Sequence, residues 1–551
     1  MLTPLTRKQG LAFAFAAGVL STSSLFSADV AATMDNGGAE DFVLDGGVFT
    51  DTSAILGTTS NNNVLTIQNG GYLAVDDSFT VSAISGTGNQ ITVTGAGSSL
   101  DVGSSLYLGY ASESYNNTLS VEAGGSLTSA NLYVGSDGDT NSVTVTGADS
   151  FANISTELLV GYYGEDNSVT VSDGALFISK KTTLGTYTAA NGNSVTVTGA
   201  GTNYINRGDF TVGYRGDSNG ASVLDGAYLS TRNLVLGTTS DSEGNSVTIS
   251  GAGSTVAASG YVAVGYQGIN NTMQISSGGT LSGGNIYVGY MSDGNNNSLT
   301  VDGTGSRALT TGTSGSIYVG NSGNNNTMTV RNNASMSTYS LVVGGTGSGN
   351  TLNIQSGASV IANDLFFGLG GGTNNTLNIS GASSVTISNL VRVGFSAAGN
   401  VLNISGQDSI LSVGGTLYVG VSGNANSLTM EDSSLVKANA LDIASGSSVR
   451  ISGAYLALAG DQLALLNGYL TDGSILCWDL TSSSWVTATV DKYTLAYCDT
   501  DADGLELTGG IYSDLGGYTI LTAVPEPSTY AMLGGLAVLG YAVARRRKAH
   551  A

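Results

Sequence analysis

An asparagine returns along this chain at a nearly fixed interval: Asn63, Asn89, Asn117, Asn141, Asn167, Asn193, Asn219, Asn245, Asn271, Asn297, Asn326, Asn350, Asn375, Asn400 and Asn426. Successive spacings fall between 24 and 29 residues, and 26 is the commonest. Around Asn141 the unit reads Val143-Thr144-Val145, a turn at Gly147, a short segment Phe151 to Ile154, then Leu158-Leu159-Val160-Gly161. Side chains alternate along a strand, so Val143 and Val145 share one side and Thr144 takes the other. A unit this small cannot bury its own apolar side; it must stack on copies of itself, and the core becomes a column.

Composition decides between order and disorder. The 551 residues include 81 glycines and are only 10% charged, but 41% are hydrophobic and the aliphatics hold fixed positions in the repeat. Disorder needs few aliphatics, so the chain is read as folded. Prolines stand only at Pro4, Pro525 and Pro527. Proline donates no amide hydrogen bond, and its absence between suits a body built of laddered strands. Residues 33 to 527 carry 11 Lys/Arg against 39 Asp/Glu, a net charge of −28. Such a surface excludes nucleic acid as a partner, because phosphate contacts need basic patches.

These features predict an all-β fold: a three-sided parallel β-solenoid over residues 63–453, with inward positions uniformly aliphatic. Residues 33–62 read as an N-terminal cap and 454–523 as a C-terminal capping β region, with a short strand or helix between Leu456 and Leu470. The recurrent asparagines are expected to bond to one another along the stack; the competing explanation is that Asn merely suits a turn. Leucine-rich repeats need helix formers and propeller blades a longer period, and neither fits. At the level of fold the repeats resemble the β-helical passengers of autotransporter adhesins.

The two ends give an address. Arg7 and Lys8, an apolar run from Leu11 to Leu20 and a polar stretch follow the order of a secretory signal peptide, placed at residues 1–32 and removed by signal peptidase. At the other end, Pro525-Glu526-Pro527 precede an apolar stretch at 529–544, read as a transmembrane helix, and a basic stop of Arg545, Arg546, Arg547 and Lys548. Residues 524–551 resemble the PEP-CTERM sorting signal of bacterial exosortase substrates. That resemblance implies a Gram-negative host making exopolysaccharide, transient anchorage in the inner membrane, cleavage near the Pro-Glu-Pro motif, and release to the envelope surface or extracellular matrix. The exosortase is then a processing partner, and exopolysaccharide an expected associate.

Chemistry is sparse. The single histidine, His550, lies beyond the sorting motif, which removes triads and the usual zinc sites from the exported body. Cys477 and Cys498 read either as a disulfide, the favoured option in an exported protein, or as two thiols. Asp499, Asp501 and Asp503 have the spacing that opens a calcium loop, but Gly510 stands where a bidentate Glu is needed, and a charged turn competes. No other cofactor is expected. Tyr107, Tyr133, Tyr287, Tyr318 and Tyr418 occupy one outward position of the repeat, as a stripe for sugar rings or as packing between coils. The expectation is a non-enzymatic structural or adhesin-like protein of the cell surface; the alternative is a β-helix that binds or degrades polysaccharide.

Overall fold

The computed structural model describes residues 32–34, 41–479, 482–498 and 515–523. They divide into two compact units, one ending at Thr329 and including Ala334–Met336, the other holding Val330–Asn333 and everything from Ser337. Each is a parallel β-solenoid.

In the first unit, five-residue strands stack in parallel and without a register slip from Asp41–Asp45 to Ser298–Asp302. Val143, Val169 and Val195 align inward and fully shielded, while Thr144, Thr170 and Thr196 align outward. A slip of one residue would exchange these rows, so burial fixes the register. The expected second and third strands are one long strand in most turns, such as Ser99–Leu108, Ser126–Val134 and Phe151–Val160. The long strand bends at an irregularity between Ser129 and Asn131, where one turn accommodates a residue more than its neighbour. Two hydrogen-bonded ladders therefore do the work expected of three, one of them folded over two faces.

The asparagines form the predicted column. In the first unit the Oδ1 of each accepts two bonds from the asparagine one turn before. One comes from the backbone N–H, as in Asn167 to Asn193 at 2.9 Å, and one from Nδ2, at 3.1 Å in the same pair. The pattern holds from Asn63–Asn89 to Asn297–Asn326, and every member is buried or nearly so. The remaining Nδ2 proton goes to a loop acceptor where one is in reach, the Glu165 carbonyl for Asn167 and the Ser82 hydroxyl for Asn89. The strand-ending glycine lies against this column: Gly161 has φ +69°, and a Cβ there would stand 2.1 Å from Asn193 Nδ2. At the start of the column, Asn63 Oδ1 is buried with no partner among the described residues.

Three boundaries and one packing expectation change. Ala32, assigned to the leader, belongs to a strand Ala32–Met34 paired with Ala54–Leu56. Asp41–Asp45, Val48–Asp51 and Ala54–Leu56 pair in parallel with the following turn, so residues 41–62 are a rung of the solenoid, where a separate cap was expected. Parallel pairing also continues past 453, to Tyr455–Ala459 and Ile475–Asp479. The interior is not uniformly aliphatic. Ser179, Thr182, Tyr204, Asn206 and Thr231 are buried, and they satisfy each other. Tyr204 Oη lies 2.6 Å from Thr182 Oγ1, Ser179 Oγ donates to Asn206 Oδ1 at 2.8 Å, and Asn206 Nδ2 donates to Thr231 Oγ1 at 2.9 Å. Phe177 and Phe210 flank the Tyr204 ring.

The second unit repeats the plan from Thr351–Gln355 to Ser448–Ser452, with its own column from Asn350 through Asn375 and Asn400 to Asn426. It closes on a change of strand direction. Tyr518–Ala523 runs antiparallel between Tyr455–Ala459 and Tyr493–Cys498, and Ser484–Thr487 runs antiparallel to Ile475–Asp479. Helix Leu463–Thr471 buries Leu466 and Leu470 beneath this layer. Reversal ends the parallel template, which is how a stacked sheet avoids offering an open edge.

Replacing Asn193 by Ala should orphan the Asn167 N–H and one Nδ2 proton. The expected loss is about 3 kcal/mol, at about 1–3 kcal/mol per buried unmet donor. Thr170→Ala on the outward row should stay within about 0.5 kcal/mol of the parent. Urea denaturation of the three proteins checks this, and equal midpoints would be contrary to the column's role.

Candidate functional site

The chemistry-bearing residues of the described chain are mainly tyrosines, and the parallel register places them. The outward row reads Tyr107, Tyr133, Leu159, Thr183, Thr211, Val235, Ala263, Tyr287, Tyr318 in successive turns. The expected stripe is therefore broken: Tyr107–Tyr133 and Tyr287–Tyr318 are separate pairs with five turns of other residues between them. Each pair is stacked, with centroids 4.7 and 5.1 Å apart. Tyr418 belongs to the second unit, where its register neighbour is Arg392, whose guanidinium carbon lies 5.5 Å from the ring centroid. The same guanidinium lies over Phe366 and Phe395.

A second row consists of residues that follow the strand-ending glycine, tyrosine at Tyr110 and Tyr162. The loops there stay in step through backbone bonds, Tyr162 N–H to Gly135 O at 2.9 Å and Tyr163 N–H to Ser136 O at 2.9 Å. Around the first pair this adds Tyr110 edge-on to Tyr107, Tyr162 edge-on to Tyr133, and Tyr163 stacked on Tyr187 at 4.2 Å. Tyr162 and Tyr187 share a hydroxyl hydrogen bond of 3.3 Å. That bond, then burial, pushes the Tyr162 phenol up to about 12, while the same contact lowers Tyr187. Burial first, and then the neighbouring Tyr290, pushes Tyr287 up to about 12. Burial alone raises the enclosed Tyr204.

The expected disulfide is not formed. Cys477 and Cys498 are both buried, but Cys477 sits in the ladder with Arg450-flanking Ile451 and Cys498 in the strand beside Tyr518. The two strands belong to different sheets, and Cys498 packs with Leu435, Ala457, Leu515 and Ile520. Burial pushes the Cys477 thiol up to about 11. Asp499, Asp501 and Asp503 lie outside the described residues. So do Pro525, Glu526 and Pro527, the apolar stretch 529–544, the basic Arg545 to Lys548, and residues 1–31 of the leader. Among the described residues no group of carboxylates, cysteines and histidine is arranged to hold a metal, and no helix is long and apolar enough to cross a membrane.

With the fold in view, the comparison with known families adds one match: the PEP-CTERM protein-sorting motif, over residues 523–548. The chain is thus a β-solenoid bearing the sorting signal of exported, exosortase-processed proteins, directed to the cell envelope surface. No curated protein and no solved structure matches it. The likeness to autotransporter passengers accordingly extends no further than a β-helical repeat.

Two measurements follow. Without a disulfide, mobility in denaturing electrophoresis should be unchanged by reductant, and Cys477 should resist iodoacetamide at pH 8 until the chain is unfolded; rapid native labelling would count against its burial. The tyrosines set an alkaline limit. A phenol whose folded pKa exceeds its ordinary 10.0 keeps its proton longer when folded. Its contribution is complete below about pH 10 and declines as pH rises above that value. Stability should thus fall above about pH 10 in thermal melts, and Tyr204→Phe should weaken that fall; identical pH profiles would exclude Tyr204 as a source.

Proposed function

We propose that the exported body is a non-enzymatic structural component of the cell surface, adhesin-like and held with exopolysaccharide. The 529–544 stretch serves as a temporary membrane hold before the exosortase cuts. The observation that carries this reading is the pairing of a sorting motif at 523–548 with repeat turns so uniform that outward residues form rows, with no long insertions to wall a catalytic cleft. Rows of Ser and Thr suit a surface that meets a hydrated matrix along its length. Buried hydrogen bonds satisfied between successive turns suit persistence outside the cell. A carbohydrate-binding reading has specific support in the clustered tyrosines, since aromatic rings present flat apolar faces with a polar handle.

In the native host, the proposal expects a shortened body in the surface and matrix fractions, recovered with polysaccharide. Deleting the exosortase, or replacing Pro525, Glu526 and Pro527 by Ala, should leave full-length chain in the cell fraction. A full-length protein in the matrix of the deletion strain would overturn the sorting step. A body that parts from the polysaccharide on gentle washing would overturn the association.

A further inference from the structure

One place in the first unit departs from the aromatic pattern on both sides of it. In the loop row, Tyr110 and Tyr162 stand two turns apart, and Ser136 takes the position between them. In the adjoining row Ala111, Asp137 and Tyr163 succeed one another, and the far face of Tyr163 is covered by Tyr187 at 4.2 Å. The other face of Tyr163 is thereby turned toward the turn of Asp137. The result is an open groove of about 530 Å³ lined by Tyr110, Ala111, Ser136, Asp137, Tyr162 and Tyr163. Two turns separate its aromatic walls, about 10 Å at the ordinary strand spacing. Tyr110 and Tyr163 are 48% and 44% exposed, large values for rings in so regular a wall.

The lining selects the ligand. An absent ring between two present ones leaves room for a flat body with apolar faces. The floor of Ser136 and the Asp137 carboxylate adds hydrogen-bonding partners for a hydroxylated rim. No hydrogen bond or ion pair among the described residues engages the Asp137 side chain, so it is available as an acceptor. No cation lines the groove, and Arg215, which lies near Tyr187, is bonded to Asp241 at 3.4 Å. An acidic sugar would meet an unopposed carboxylate on a chain of net charge −23.

We infer that this groove is a binding subsite for a neutral sugar residue of a polysaccharide, stacked on Tyr163 and hydrogen-bonded through Asp137. The inference rests on the carbohydrate-associated reading given above and narrows it to one site and to uncharged glycans. A protein partner would need a larger apolar surface than these six residues supply.

The test is titration of the full chain with neutral oligosaccharides (dextran, β-1,4-glucan and β-1,3-glucan hexamers), with hexagalacturonate as the acidic comparison, followed by calorimetry. At least one neutral hexamer should bind, and Tyr163→Ala and Tyr110→Ala should each weaken it about tenfold, the scale of one lost aromatic contact. Tyr163→Phe should stay within about threefold, because the ring is retained. Thr170→Ala, on the outward row of another ladder, should leave binding unchanged. Loss of binding in Thr170→Ala, parent-like binding in Tyr163→Ala, or preference for hexagalacturonate would overturn the site. If the body still recovers with polysaccharide from the native host while the groove variants bind as the parent does, the groove inference fails alone. If binding is absent from every protein and the body parts from polysaccharide, both readings fail.

Discussion

The amide oxygen of one asparagine, accepting two hydrogen bonds from the asparagine a turn before, is the constraint from which the rest of this structure follows. At each corner the chain leaves a loop and enters a strand, and the corner's backbone N–H is buried with no strand opposite it. A buried donor without an acceptor costs about 1–3 kcal/mol. The Asn side chain supplies that acceptor and at once passes the same demand to the next turn through its own N–H. Only a residue with both an acceptor and a donor on a short stem can continue the series. Its close fit explains the glycine beside it: at Gly161 a side chain would occupy the space of the Asn193 amide. The column and the buried inward row then hold the same register, the one by hydrogen bonds and the other by burial.

Such a fold makes features by interrupting its repeat. A residue placed outward recurs beside its equivalents at each turn, so a row of threonines is the default surface and a cluster of tyrosines is a local change in sequence. The pairs Tyr107–Tyr133 and Tyr287–Tyr318 exist because their turns carry tyrosine where five intervening turns do not. The groove at Ser136 and Asp137 arises the same way, from the lack of a ring between two ringed turns. Uniform turn length leaves no long loops to build a cleft. What a face of this scaffold presents is therefore set by the composition of its rows, and the proposed polysaccharide role rests on that.

The Asn column and the inward valines were legible because each depends on residues at fixed spacing and on alternation alone. The merging of two expected strands into one was not. A bulge near Ser129 changes the local path without changing the apolar pattern on either side. Nor was the buried cluster around Tyr204 foreseen, since Thr182 and Asn206 look like surface residues until their partners are seen to face them. The signal was present, as a polar residue at the position that holds Leu158 one turn earlier, but a single turn cannot show that the hydroxyls are mutually satisfied. The parallel stack begins before and ends after the repeat bounds for a related reason, while the closing helix and antiparallel strands lie within the expected 454–523. Residues 41–62 and Tyr455–Ala459 keep the backbone pairing and bury Leu44, Leu56, Leu456 and Leu458, although the asparagine signature is absent there. The choice between a disulfide and two thiols could not be read from spacing, which does not show that Cys477 and Cys498 lie in different sheets.

Hydrogen–deuterium exchange at the backbone amides of Asn117, Asn141 and Asn167 in the full chain tests the column most directly. These amides lie outside the strand ladders, and their only acceptors are the Oδ1 atoms of Asn141, Asn167 and Asn193 at 2.8 to 3.0 Å. Protection matching that of Val143 and Val145 within the adjacent strand is the expected result. Exchange as fast as at the exposed turn residue Glu113 would contradict it, and burial of the inward row alone would then hold the register of this unit.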